Sequence, residues 1–139
     1  MVERHSKLTF LAKASRKTSQ EVKAALVNRL GEVRDSVLTI TADNGKEFAE
    51  HEAIRDELDA IVYFARPYHS WERGLNEHTN GLVRQYLPKY ERLDRVTGEM
   101  VKRLEDLLNN RPRKVLQFRT PIEVFNEARV KSGFVALQS

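Results

Sequence analysis

The sequence predicts an α/β fold, because short β-branched runs and amphipathic helical segments alternate along its 139 residues. Two apolar runs of strand length, at 37–42 and 61–64, enclose a short stretch with helical spacing. Three further helical patterns follow toward the C-terminus, and an apolar content of 40% suffices for one modest core.

In chain order, the first element is a strand at 8–12, after what reads as the end of another strand at 1–4; His5, Ser6 and Lys7 form the turn between them. Thr18 and Glu21 have capping-box spacing, Val22, Ala25, Leu26 and Leu30 repeat as a helical face, and Gly31 supplies a stop. The next strand ends at Asp43. Lys46, Glu47 and Phe48 do not alternate as a returning strand would. A helix over 51–58 turns Ile54 and Leu58 inward and leads to the strand at 61–64, which Pro67 ends. After a loop at 66–73, Leu75, Thr79, Leu82, Val83 and Tyr86 mark one helical face, with Arg73, Glu77, Asn80 and Arg84 opposite, and Pro88 closes the helix. A helix at 97–109 is expected to bury Met100, Leu104, Leu107 and Leu108, and Arg111-Pro112-Arg113-Lys114 breaks it. The last helix opens on Thr120 as cap, Pro121 first and Glu123 third, with Val124, Phe125 and Ala128 on its apolar face.

Composition excludes several kinds of chemistry. The absence of cysteine rules out disulfides and thiolate-held zinc and suits a reducing compartment. No apolar stretch reaches the roughly 20 residues that span a bilayer, and no signal-peptide core opens the chain, so a soluble, cytoplasmic protein is expected. His5, His51, His69 and His78 lack zinc spacing, and neither a nucleophile elbow nor a glycine-rich phosphate loop is present. The net charge of +4 is unevenly spread. Acids outnumber bases seven to two over 43–59, whereas bases outnumber acids twelve to seven over 84–131. A basic C-terminal half suits a polyanion, although charge alone more often marks an ordinary solvated surface.

The candidate chemistry centres on two carboxylates. Asp43 stands at a strand tip before Asn44-Gly45, and Glu77 lies on the polar face of its helix. Mg²⁺ prefers oxygen ligands, so a few well-aimed carboxylates suit it beside a phosphate. Alone, Asp43-Asn44-Gly45 is also a common turn sequence, and Glu77 an ordinary solvated residue. Arg73, Glu77 and Arg84 lie close to one helical stripe, either a DNA-facing row or a surface ion-pair ladder. Arg111, Arg113, Lys114 and Arg119 form the densest basic cluster, suited to phosphate binding or to compensating a helix C-terminus. Tyr68, His69 and Trp71 are placed to stack on bases or to anchor the loop before the Glu77 helix.

Four motifs carry a family resemblance: TADNGKEF at 41–48, YHSWERGLNEHTNGLVRQY at 68–86, LNNRPRK at 108–114 and RTPIEVF at 119–125. Together, and in this order, they resemble the catalytic core of bacterial DDE transposases, with the closest likeness to the IS-thirty family of insertion sequences. The similarity covers about 2–125. It implies a ribonuclease H-like integrase core, a mixed sheet with flanking helices, and metal-dependent DNA cleavage and strand transfer using Mg²⁺ or Mn²⁺. Asp43 and Glu77 become the expected catalytic and metal-holding residues. Arg73, Asn80, Arg84, Arg111, Arg113 and Lys114 become expected DNA contacts, while Asn44 and Gly45 shape the turn that aims Asp43.

In the family a first Asp stands on an opening, central strand upstream of a segment resembling 2–6. The resemblance therefore implies a core at 1–125 without that strand or that Asp, and a tail at 126–139. A sheet without its central strand is expected to associate into homo-oligomers, with strand exchange as one route. The implied partners are transposon-end and target DNA, in the nucleoid. The alternative is a catalytically inactive module that binds DNA or pairs with full-length transposase.

Overall fold

A computed structural model describes residues 1–66, 74–89 and 92–138, the side chains of Asn76 and 132–138 excepted. Pro67, Tyr68, His69, Trp71 and Arg73 lie outside the described residues. The chain forms two compact units, Ala12–Gly74 and Met1–Leu11 with Leu75–Ser139.

In the Ala12–Gly74 unit, α1 (Ser19–Gly31) starts at Thr18, whose hydroxyl accepts the Glu21 N–H at 3.4 Å. It packs against α2 (His51–Leu58). Each helix buries a pair of residues one helical turn apart: Leu26 and Leu30 on α1, Ile54 and Leu58 on α2. Burying each of the α2 pair, both 1% exposed, is worth about 1.5–3 kcal/mol. Lys17–Glu47 and Lys23–Glu57 ion pairs, each at 3.1 Å, lie in the same unit and remain in contact with solvent. Asp59 closes α2 in the left-handed conformation, φ 52°, which a short polar side chain tolerates.

β1 (Thr39–Ala42) and β2 (Ile61–Phe64) pair in parallel, in register from Thr39 opposite Ile61 to Ala42 opposite Phe64. The ladder continues at both ends, with Ile61 N–H donating to Leu38 C=O at 3.0 Å and Ala65 N–H to Ala42 C=O at 2.8 Å. A parallel pair needs a long crossover, and α2 with the 3₁₀ turn Lys46–Phe48 supplies it. Alternation divides the sheet's side chains. Ala42 is buried, whereas Thr39, Thr41, Ile61 and Tyr63 are exposed; Phe64, also exposed, meets the His51 ring edge-on at 5.1 Å.

The second unit begins with a narrow turn. Met1 and Phe10 exchange two backbone hydrogen bonds at 2.9 Å, Glu3 N–H donates to Leu8 C=O at 2.8 Å, and the Glu3 carboxylate accepts the N–H groups of His5 and Ser6. The strand expected at 8–12 is reduced to a single antiparallel bridge between Val2 and Thr9. The reason lies in α4 (Gly98–Asn109). Asn109 accepts the Thr9 N–H and donates to the Thr9 C=O, both at 2.8 Å, and Glu105 accepts the Leu11 N–H at 2.7 Å. Side chains thus occupy positions a neighbouring strand would otherwise fill.

The same contacts correct the expected face of α4. Leu104 and Leu108 are buried, but with Glu105 and Asn109, and Met100 and Leu107 are 44% and 47% exposed. α3 (Gly74–Tyr86) buries Thr79, half-buries Leu75, Leu82 and Val83, and leaves Tyr86 exposed. α5 (Pro121–Gln138) opens on a reciprocal capping box: Thr120 Oγ1 accepts the Glu123 N–H at 3.3 Å, and the Glu123 carboxylate accepts the Thr120 N–H at 2.8 Å. Val124 and Phe125 are buried, and Phe125 meets Phe10 edge-on at 6.2 Å. No helix among the described residues is long and apolar enough to cross a membrane.

Candidate functional site

Asp43 follows the last residue of β1, so the ladder itself delivers it to the end of the sheet. Its Oδ1 accepts the Gly45 N–H at 3.2 Å, which holds the half-buried carboxylate in one orientation. Asn44 donates its side-chain amide to the Ala65 C=O at 3.0 Å, tying the chain just beyond β1 to the residue that follows β2. Gly45 has an ordinary φ of −72°, so no left-handed turn demands glycine here. A Cβ at this position would instead run into the Glu47 carboxylate, which the 3.1 Å contact to Lys17 holds in place.

Glu77 lies in the first turn of α3, where the helix dipole favours a negative charge, and Arg84 lies in the last turn, where it favours a positive one. Glu77, Asn80 and Arg84 are all exposed, and Arg84 Nη1 reaches the Leu87 C=O at 3.4 Å. Asp43 belongs to the Ala12–Gly74 unit and Glu77 to the other. Among the described residues, no group of three or more histidine and acidic side chains is placed to hold a metal ion.

The basic residues after α4 divide into two kinds. Arg113 is half-buried and donates to the Leu108 C=O at 3.2 Å, satisfying a carbonyl in the last turn of α4. Burial, and then the charge of Arg111, hold its pKa below the ordinary arginine value. Arg119 pairs with Glu127. Arg111 and Lys114 are exposed, and neither forms an ion pair with the described residues.

Between Arg113 and Arg119 the chain forms a tight loop closed by an antiparallel bridge, with Arg113 N–H donating to Arg119 C=O at 3.0 Å. Gln117 and Phe118 are both left-handed, with φ of 55° and 63°. Phe118 and Val115 are 71% and 72% exposed. Sequence reasoning missed this pair. The available signal was a phenylalanine set among arginines and lysine, outside any helical or alternating pattern.

No family model matches the sequence. The transposase for insertion sequence element IS4351 of Bacteroides fragilis is 48% identical over 125 residues, covering 90% of this chain and 38% of that protein. Transposase InsI for insertion sequence element IS30A of Escherichia coli is 39% identical over 128 residues, covering 89% and 33%. The transposase for insertion sequence element IS1086 of Cupriavidus metallidurans is 38% identical over 125 residues, covering 89% and 37%. These likenesses define the class, that of bacterial insertion-sequence transposases. Within that class, the chain belongs with the transposases of IS30-type elements. It spans about a third of the length of the relatives it matches. A match over 90% of this chain takes in positions 43 and 77 wherever it begins.

Proposed function

We propose that this chain is part of the catalytic core of an IS30-type transposase, on a ribonuclease H-like scaffold, and that it contributes two of the three carboxylates used in metal-dependent DNA cleavage and strand transfer. The carrying observation is the placement of Asp43: it stands at the end of a parallel strand, its carboxylate oriented by the Gly45 N–H and its turn clamped to the end of β2 by Asn44. In this reading Asp43 and Glu77 would be ligands of Mg²⁺ or Mn²⁺. A hard divalent cation held by these carboxylates would supply Lewis-acid activation of a water or 3′-hydroxyl attacking a phosphodiester, and charge stabilisation of the leaving oxygen. Arg84, Arg111 and Lys114, and Arg73 where it follows the same face, neutralise phosphates, and Asn80 offers a neutral hydrogen-bonding group. The exposed Ile61 and Tyr63 on the open side of β1 and β2 support association between copies, with transposon-end and target DNA as the other partners.

In a protein that adds the upstream carboxylate, Asp43→Ala and Glu77→Ala are each expected to abolish strand transfer while DNA binding persists. Unchanged transfer in either variant sinks the assignment. A non-enzymatic reading, in which the chain binds DNA or pairs with full-length transposase, is favoured by the finding that no group of three or more histidine and acidic side chains is placed to hold a metal among the described residues. Mn²⁺-dependent nicking of supercoiled DNA by the 139-residue chain separates the two. Nicking that Glu77→Gln removes means a substitute ligand completes the site, and DNA binding without nicking favours the non-enzymatic module.

A further inference from the structure

We propose that the loop from Arg113 to Arg119 is a nucleic-acid contact in its own right, with Phe118 stacking on an unpaired or splayed base while Arg111 and Lys114 hold the flanking phosphates. The proposal rests on the reading that this chain acts on DNA, and adds to it the form of DNA that this loop takes. Three observations carry it.

The first is backbone conformation. Left-handed φ is unfavourable for a bulky L-residue, and here two such residues stand in succession, neither of them glycine. The arrangement is held by hydrogen bonds from Leu116 and Phe118 N–H to Arg113 C=O, both at 2.9 Å, and from Gln117 N–H to Lys114 C=O at 3.0 Å. Strain maintained in this way concentrates at sites of function.

The second is what the strained segment displays. Phe118 and Val115 are the two apolar side chains at the loop's surface, each more than two-thirds exposed. The chain forgoes the burial of a phenylalanine at a position where its backbone is left-handed.

The third is charge. Arg113 is occupied with the end of α4 and Arg119 with Glu127, which leaves Arg111 and Lys114 as exposed cations within seven residues of Phe118 along the chain. An exposed aromatic side chain in a segment that also carries exposed cations matches the base and phosphates of a nucleic-acid strand. An apolar protein surface would leave both charges to be desolvated without a partner.

The test measures binding of the full 139-residue chain to a labelled duplex and to a forked DNA of the same length, at two salt concentrations. The expected result is a preference for the fork that Phe118→Ala reduces about tenfold, equivalent to about 1.4 kcal/mol. Phe118→Trp retains the preference, and Phe118→Leu, which keeps the bulk without the π face, loses it. None of the three alters the salt dependence, whereas Lys114→Ala lowers the salt slope by about one on both DNAs. Fork binding by Phe118→Leu equal to that of the unaltered chain overturns the stacking contact and leaves the DNA-acting reading intact. Absence of DNA binding by the unaltered chain overturns both. Loss of self-association in Phe118→Ala with unchanged DNA binding assigns the ring to a protein contact and overturns the proposal as well.

Discussion

Thr9 and Ala42 are both buried residues on extended backbone, one in each unit, and their main-chain groups are satisfied in different ways. Ala42 lies in a ladder, where backbone pairs with backbone and its C=O accepts the Ala65 N–H. Thr9 meets a helix, where the primary amide of Asn109 presents one donor and one acceptor as a peptide group does. A ladder distributes its hydrogen bonds over many residues and tolerates most side chains. The amide clamp concentrates two buried bonds in one residue, and its failure leaves two main-chain groups unmet in a site that excludes water.

The difference is best broken at the clamp. Asn109→Leu should cost about 2–4 kcal/mol in urea denaturation, because the N–H and C=O of Thr9 both lose their partner. A loss under about 1 kcal/mol would mean that water or backbone movement replaces the amide. A gain is expected beside it: the Thr9 hydroxyl is buried without a hydrogen-bond partner among the described residues, so Thr9→Val should raise stability by about 1 kcal/mol, read as a higher melting temperature. On the ladder side, Asn44→Ala removes a single bond at the margin of the sheet and should cost about 1 kcal/mol or less.

The smallest effect concerns pH. Burial alone would raise the Glu3 pKa, but hydrogen bonds from the Ser6 hydroxyl and from the N–H groups of His5 and Ser6 outweigh it and hold the value below the ordinary 4.5. A depressed carboxyl stabilises the fold above its unfolded-state pKa, and that contribution disappears as pH falls through the lower folded value. The melting-temperature gap between the native chain and Glu3→Gln should therefore be present at pH 7 and close below about pH 4.5. A gap that persists at acid pH would show that the turn does not depend on the charge.

Local signals read well from the sequence where the structure depends on local chemistry. Thr18 and Thr120 cap the helices they are expected to cap, Ile54 and Leu58 turn inward, and both strands of the parallel pair lie within the apolar runs. The misreadings at 8–12 and at Met100 and Leu107 share a cause. Hydropathy assigns Glu105 and Asn109 to solvent, because their partners are main-chain groups 94 and 100 residues away. The conformation at Gln117 and Phe118 was illegible for another reason: turn prediction depends on glycine and asparagine, and this turn uses neither. At the candidate site, the strand-tip position of Asp43 was legible, whereas the Asn44 tie to Ala65 depends on a strand pairing that sequence alone does not specify.

The parallel register of β1 and β2 also bears on the order of folding. The turn at the start of the chain joins near neighbours, as hairpins do, and such closures take about 1–10 μs. The Ile61 amide reaches Leu38 only after the intervening helical crossover is in place, and chain closure over longer separations is slower. Pulse-labelled hydrogen exchange should accordingly find the Glu3 amide shielded before that of Ile61. Asp43 then acquires its fixed aim late in folding, once the partner strand has arrived.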